Sequence, residues 1–245
     1  MINGKRESFV RIAGIAVLTI GVVVLVGWVF NIPAVRSLWP NSPPMMPESA
    51  IGFILSGFAL FLKSRFRNSY LTTYSSIAAL LVFISGLISC LVMIFGLNSR
   101  IYDFFIKPQE YDSFHIEFMS MYSAISFMLA GFALFPKQGG RLTEEVRFWA
   151  IFLYALYSFQ KICFYLLGSL FLPEFHHFTP LSLPSAIAFS VLSIGSFAAF
   201  PYSFYIKKIL ESGTGGRFLR RALPGALLFI LTIHTINLYV VKSTF

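Results

Sequence analysis

Charged residues make up only 12% of the 245 in this chain, about half the share usual for a soluble globular domain. So few charges cannot furnish the water-facing surface of a globule this size. Cysteine is nearly absent: Cys90 and Cys163 are the only two, and both fall within apolar stretches. Two such residues exclude a disulfide framework and read as small buried hydrophobes. Acidic residues number ten and histidines four. There is no HExxH, no GxSxG with a plausible triad, no Walker sequence and no Cys/His spacing typical of zinc. Hydrolytic, nucleotide-driven and zinc chemistry therefore have no sequence support, and no enzymatic activity is expected.

Apolar residues are abundant instead, at 57%, with 29 Phe, 11 Tyr and 3 Trp. Seven apolar segments approach or exceed the roughly 20 helical residues needed to cross a hydrocarbon core. They run near Phe9–Phe30, Ser49–Leu62, Tyr70–Leu97, Phe118–Phe135, Arg147–Leu172, Leu183–Ile206 and Arg221–Val241. The second and fourth are short. The expectation is an all-α, polytopic membrane protein with seven transmembrane helices, forming a single integral membrane domain over residues 1–245.

The chain repeats itself. SAIGFILSGFALF (Ser49 to Phe61) and SAISFMLAGFALF (Ser123 to Phe135) are nearly identical, and SAIAFSVLSIGSFAAF (Ser185 to Phe200) is a weaker third copy. A long helix precedes each copy, so the unit is a helix pair. Three such repeats, over approximately 9–65, 70–140 and 147–208, are followed by one last helix at 219–241. Repetition of this kind marks a membrane bundle assembled from copies of one unit.

The net charge of +9 is distributed unevenly. With loops assigned alternately, fourteen of the nineteen Lys and Arg residues fall on one side and four on the other. The remaining one, Lys161, lies inside the fifth segment. The positive-inside rule places the N-terminus in the cytoplasm and, with seven spans, the C-terminus outside. The basic turns serve as orientation signals and as contacts for anionic lipid headgroups. No nucleic acid is expected, and the location is a bacterial cytoplasmic (inner) membrane. The first segment, although preceded by Lys5 and Arg6, is too long for a signal peptide and lacks a small-x-small cleavage site. It reads as a retained anchor.

Small residues recur on one face of each copy. Gly52, Ser56 and Ala59 correspond to Ser126, Ala130 and Ala133, and Ala188 and Gly195 hold two of these places in the third copy, where Leu192 interrupts. Spacings of four and three share a helical face, where small side chains let backbones approach. The second, fourth and sixth segments are therefore expected to line an inner seam. Packing is the favoured role for this face.

Lys161 is the most unusual residue, about fourteen positions into the fifth segment. A charge near mid-helix costs roughly 2.5–3.5 kcal/mol on insertion scales, which calls for a partner or for snorkelling to the headgroups. Glu117, or failing it Glu48, is the expected partner. His234 falls at similar depth in the seventh segment. With Gln160, Asn237, His115 and the pair His176-His177 it makes a possible polar cluster in the outer half. His234, His115 and His176 are candidate axial ligands for a b-type haem; solvated loop histidines are the plainer reading. An apolar opening between the even helices would admit a quinone-like or lipid-like molecule.

GWVFNIPAVRSLWP, followed by MMPESAIGFILSGFALFL, resembles the repeated membrane sensor region found ahead of cytoplasmic PAS, histidine-kinase and diguanylate-cyclase domains in bacterial signalling proteins. There the repeat often reads Gly-Trp, a short loop, Met, then a Ser-Ala or Thr-Ala start to an apolar helix. Met45, Met119 and Leu181 each precede the Ser-Ala pair by four residues, and GTGGRFLRRALPGALLF (Gly213 to Phe229) is similar to the basic turn before the last helices of that region. Such proteins usually carry a further helix and an output domain, which these 245 residues do not include. The resemblance implies a sensory or ligand-receiving module that couples an outer-half stimulus to a cytoplasmic signalling partner. The alternatives are a non-catalytic accessory subunit of a larger membrane complex and a haem- or quinone-binding membrane protein.

Overall fold

The computed structural model describes residues 2–38, 42–64, 69–95, 119–135, 140–171 and 181–200, and among these every regular element is a helix. In chain order they are α1 (Ile2–Val29), α2 (Pro33–Ser37), α3 (Pro47–Lys63), α4 (Ser69–Phe95), α5 (Met121–Leu134), α6 (Arg141–Phe171) and α7 (Leu183–Ala199). Six of these coincide with the first six apolar segments. The additional element, α2, is a single turn within the first connection, where the sequence predicts an irregular loop. The seventh segment, Arg221–Val241, lies outside the described residues. Gly4–Val29 and Tyr70–Phe95 are long and apolar enough to cross a membrane.

The helices form an inner triangle and an outer ring. The three repeat helices α3, α5 and α7 touch one another. The longer helices lie in the grooves between them: α1 against α3 and α7, α4 against α3 and α5, α6 against α5 and α7. Copies of one unit pack this way because each copy presents the same faces to its neighbours, which closes a pseudo-threefold ring.

Three phenylalanines occupy the centre. Phe53, Phe127 and Phe189 sit at the same place in the three copies, four residues after the serine, and all are fully buried. Their ring centroids are 4.6–4.8 Å apart and their planes are inclined by 54–66°, which sets the positive edge of one ring against the negative face of the next. The five small residues expected on the inner seam, Gly52, Ser56, Ser126, Ala130 and Ala188, are all buried. Gly52 makes room for the trio: a Cβ there would lie 2.7 Å from the Phe127 ring. In the third copy Leu192 is also fully buried.

Each outer helix pairs with its own repeat helix, and two of the three pairs are sealed by glycine. A Cβ on Gly57 would come within 2.6 Å of the Leu18 nitrogen of α1, and one on Gly131 within 2.5 Å of the Phe83 nitrogen of α4. Gly21 and Gly86 bring the same backbones together further along, each against the carbonyl of the Ala in the Ser-Ala pair, Ala50 or Ala124. Such approaches gain dispersion contacts that bulkier residues would forbid. In the third pair hydroxyls replace the glycines. Ser190, the counterpart of Ile54 and Met128, donates to Ser158 of α6 across 3.2 Å, and Ser193 stands where Gly57 and Gly131 stand.

The amino-terminal ends of the repeat helices are tied to the outer ring by matching bonds. The Trp28 indole N–H donates to the Met45 carbonyl and the Tyr165 hydroxyl to the Leu181 carbonyl, both at 2.8 Å. Met45, Met119 and Leu181 are all buried. Ser120 and Ser182 cap α5 and α7 by accepting from the Ser123 and Ser185 N–H groups. The GWVFNIPAVRSLWP stretch thus has a structural purpose. Arg36 stacks on Trp28 at 4.4 Å and bonds Asn31, while its carbonyl accepts from the Met45 N–H.

Candidate functional site at Lys161

Helix α6 carries Tyr154, Tyr157, Lys161 and Tyr165 at successive spacings of three, four and four, which puts them on one face. Tyr154 is fully buried and its ring lies 6.2 Å from Phe189 of the central trio. Tyr165 is bound to the Leu181 carbonyl as described. Between them Lys161 retains only 8% of its exposure. Its ammonium lies 5.4 Å from the Tyr157 ring and 6.0 Å from the Tyr122 ring of α5. Those two rings stack at 4.8 Å, nearly parallel. Aromatic faces present negative charge to a cation and help hold it away from water.

The Tyr157 hydroxyl is buried without a hydrogen-bond partner among the described residues. Leaving such a donor unsatisfied costs about 1–3 kcal/mol. It and Lys161 therefore bring donor capacity to one place, at the first turn of α5. On the other side of the stack the surface opens: Met121, Tyr122 and Ile125 are all exposed, Tyr122 at 49%.

Lys161 lies level with the amino-terminal ends of the short repeat helices rather than midway along them. Because it faces Tyr122, the second residue of α5, α6 continues ten residues beyond, about 15 Å by helical rise. On the other flank, Gly86 of α4 faces Ala124, and α4 runs nine residues further, about 14 Å. The start of α5 is recessed between two taller neighbours.

At its other end α6 enters a second cluster. Arg147 and Lys63 are each only 4% exposed, and their charged groups lie 4.3 and 4.4 Å from the Phe200 ring. Arg147 is paired with Glu144 and donates to the Phe135 carbonyl at 2.9 Å. This clasp joins the carboxyl-terminal ends of α3, α5 and α7 to the first turns of α6.

Of the residues proposed from sequence, Gln160 is half-buried beside Lys161 on α6, and Glu48 sits in the first turn of α3 with its carboxylate oxygens buried. Glu117, His115, His176, His234 and Asn237 lie outside the described residues, as does any pair between Lys161 and Glu117. Among the described residues no group of three or more His, Cys, Asp or Glu could hold a metal ion. Sequence reasoning missed the tyrosines. Their three-four-four spacing around Lys161 was the available signal, obscured by a chain rich in aromatics everywhere. It also treated Arg147 and Lys63 only as topology markers. The chain matches no family model, no curated protein and no solved structure.

Proposed function

We propose that the chain is the membrane-embedded receiving part of a signalling system, which couples a stimulus in the outer half of the bilayer to a cytoplasmic partner. The bundle sits in a bacterial inner membrane with seven spans and its basic turns inside. Support for the membrane setting comes from the outer ring, whose outward positions are large and apolar. Ile12, Val29, Ile77, Ile88, Ile94 and Leu153 are all exposed, and patches of that extent mark lipid or protein contact.

The observation that carries the sensory reading is that one helix holds both clusters. Lys161 and Arg147 are fourteen residues apart on α6, about 21 Å by helical rise, and between them the helix is continuous. A displacement of α6 at the Tyr122–Tyr157 stack therefore reaches the Lys63–Phe200–Arg147 clasp without passing through a loop. With no glycine seal to α7, α6 is the element freest to shift against the other two pairs. Small helix shifts of about 1–2 Å are a common form of switching.

Spin labels at Tyr74→Cys on α4 and Val146→Cys on α6, both exposed positions, report this motion after Cys90 and Cys163 are replaced by alanine. Lys161→Met is expected to move the distance between them by about 1–2 Å in lipid nanodiscs. An unchanged distance in folded protein removes the coupling. A reporter joined after Phe245 that becomes active in the cytoplasm removes the proposed orientation.

A further inference from the structure

We infer that the recess at the first turn of α5 binds a long-chain carboxylate, a fatty-acid-like amphiphile, with its head at Lys161 and its tail along the exposed face of α5. The inference rests on the receiving role proposed above and names the class of ligand that the site takes. Three observations converge on it. The head position offers a cation, the Lys161 ammonium, and beside it the Tyr157 hydroxyl, a buried donor that has no partner among the described residues. A carboxylate has two oxygens, so it accepts from both groups at once, and such charge-assisted bonds are the strong ones.

The tail position is a stripe on α5. Met121, Ile125 and Phe132 are exposed, and Met128 and Leu129 are partly buried between them. These residues recur at helical spacing over eleven positions, about 17 Å by helical rise, and they begin beside the Tyr122 ring. This stripe has counterparts in the other copies, Ile51 and Phe58 on α3 and Ile194 on α7, which are also exposed. Only the α5 stripe is reported to end beside a lysine among the described residues: Ile51 lies near the Trp28 end of α1, and the α7 stripe faces α6 and α1. Charge complementarity thus selects one of three similar grooves. One cation and one hydroxyl suit a monoanionic head that lies below the headgroup plane, as a single-chain acid can.

The test uses the full chain in phosphatidylcholine nanodiscs and a photoreactive palmitate, with crosslinked peptides read by mass spectrometry. Label is expected on α5 and α6, with competition by palmitate but not by methyl palmitate, which has the same tail and no charge. Lys161→Met should weaken labelling by about tenfold or more and Tyr157→Phe by a few fold, as expected for charged and neutral bonds respectively. Lys161→Arg should keep most of it and controls for folding. Equal competition by methyl palmitate, displacement by phosphatidylglycerol but not palmitate, or labelling indifferent to Lys161→Met in folded protein would each overturn the inference. The two proposals fail separately. Palmitate bound at Lys161 with no change in the Tyr74–Val146 distance keeps the ligand class and removes the coupling. A distance that responds to Lys161→Met in protein that takes no palmitate keeps the coupling and removes the ligand class.

Discussion

In the pairs α1–α3 and α4–α5 the backbones meet at Gly57 and Gly131, whose missing Cβ atoms would lie 2.6 and 2.5 Å from a neighbouring nitrogen. In the pair α6–α7 the same contact surface is made by Ser158, Ser190 and Ser193, with a 3.2 Å hydroxyl bond in place of a backbone seal. The repeat is the same, but the adhesive differs. Close backbone contact has one tight geometry and resists sliding, because packed interiors do not deform continuously. A hydroxyl pair keeps the helices in register yet can exchange partners within its reach. The two candidate functional clusters both lie on α6, the helix held in the second way.

That contrast can be broken or sharpened by substitution, beginning with the largest effect. Gly131→Leu forces α4 and α5 apart and should destabilise the bundle by about 3 kcal/mol or more, seen as loss of monodisperse protein and a lower Tm in detergent. If Gly131→Leu were tolerated, the glycine seal would not be the difference between the pairs. Arg147→Met removes the bond to the Phe135 carbonyl, the Glu144 pair and the Phe200 stack. Its expected cost is about 2 kcal/mol, discounted because Glu144 is partly solvated. A shift well below that would mean that the clasp is incidental to how α6 is held.

A double-mutant cycle on Ser158→Ala and Ser190→Ala should give a coupling of about 0.6 kcal/mol, the usual size for an interhelical hydrogen bond in lipid. A coupling several times larger would make the third pair as rigid as the others and remove the physical basis for a mobile α6. The smallest effect is expected of Ser193→Ala. Its hydroxyl bonds the Ser190 carbonyl of its own helix, so thermal stability should change by less than about 0.5 kcal/mol. A large loss there would show that position 193 supports the α6–α7 contact as Gly57 and Gly131 support theirs.

Much of this was legible in the chain, and for identifiable reasons. Six apolar segments became helices because their length and composition leave little alternative, and the inner position of α3, α5 and α7 followed from their small residues. The central trio was not anticipated, although Phe53, Phe127 and Phe189 stand at one register position in the three copies. In a chain with 29 phenylalanines a matching three is easily passed over, and register alone does not say which way a ring points. The glycines of α1 and α4 were missed for a related reason. Gly14, Gly21 and Gly86 lie outside the repeated stretch, so nothing in their own helix marks the partner that requires them. Lys161 stood out at once because a charge in an apolar run is conspicuous, whereas its tyrosines are ordinary residues made special only by company.

Periodicity, composition and self-similarity are properties of neighbouring residues, so the chain by itself determined that there would be helices, how long they would be, and that they would come in related pairs. It also determined which residue would be chemically exceptional. Contacts between distant segments decided the rest. The ring order, the aromatic centre, the stack of Tyr122 on Tyr157 beside Lys161, and the meeting of Lys63 and Arg147 on Phe200 all join residues from different helices. Such meetings depend on how the helices are rotated about their axes, and that rotation is set by mutual packing, which no single segment encodes.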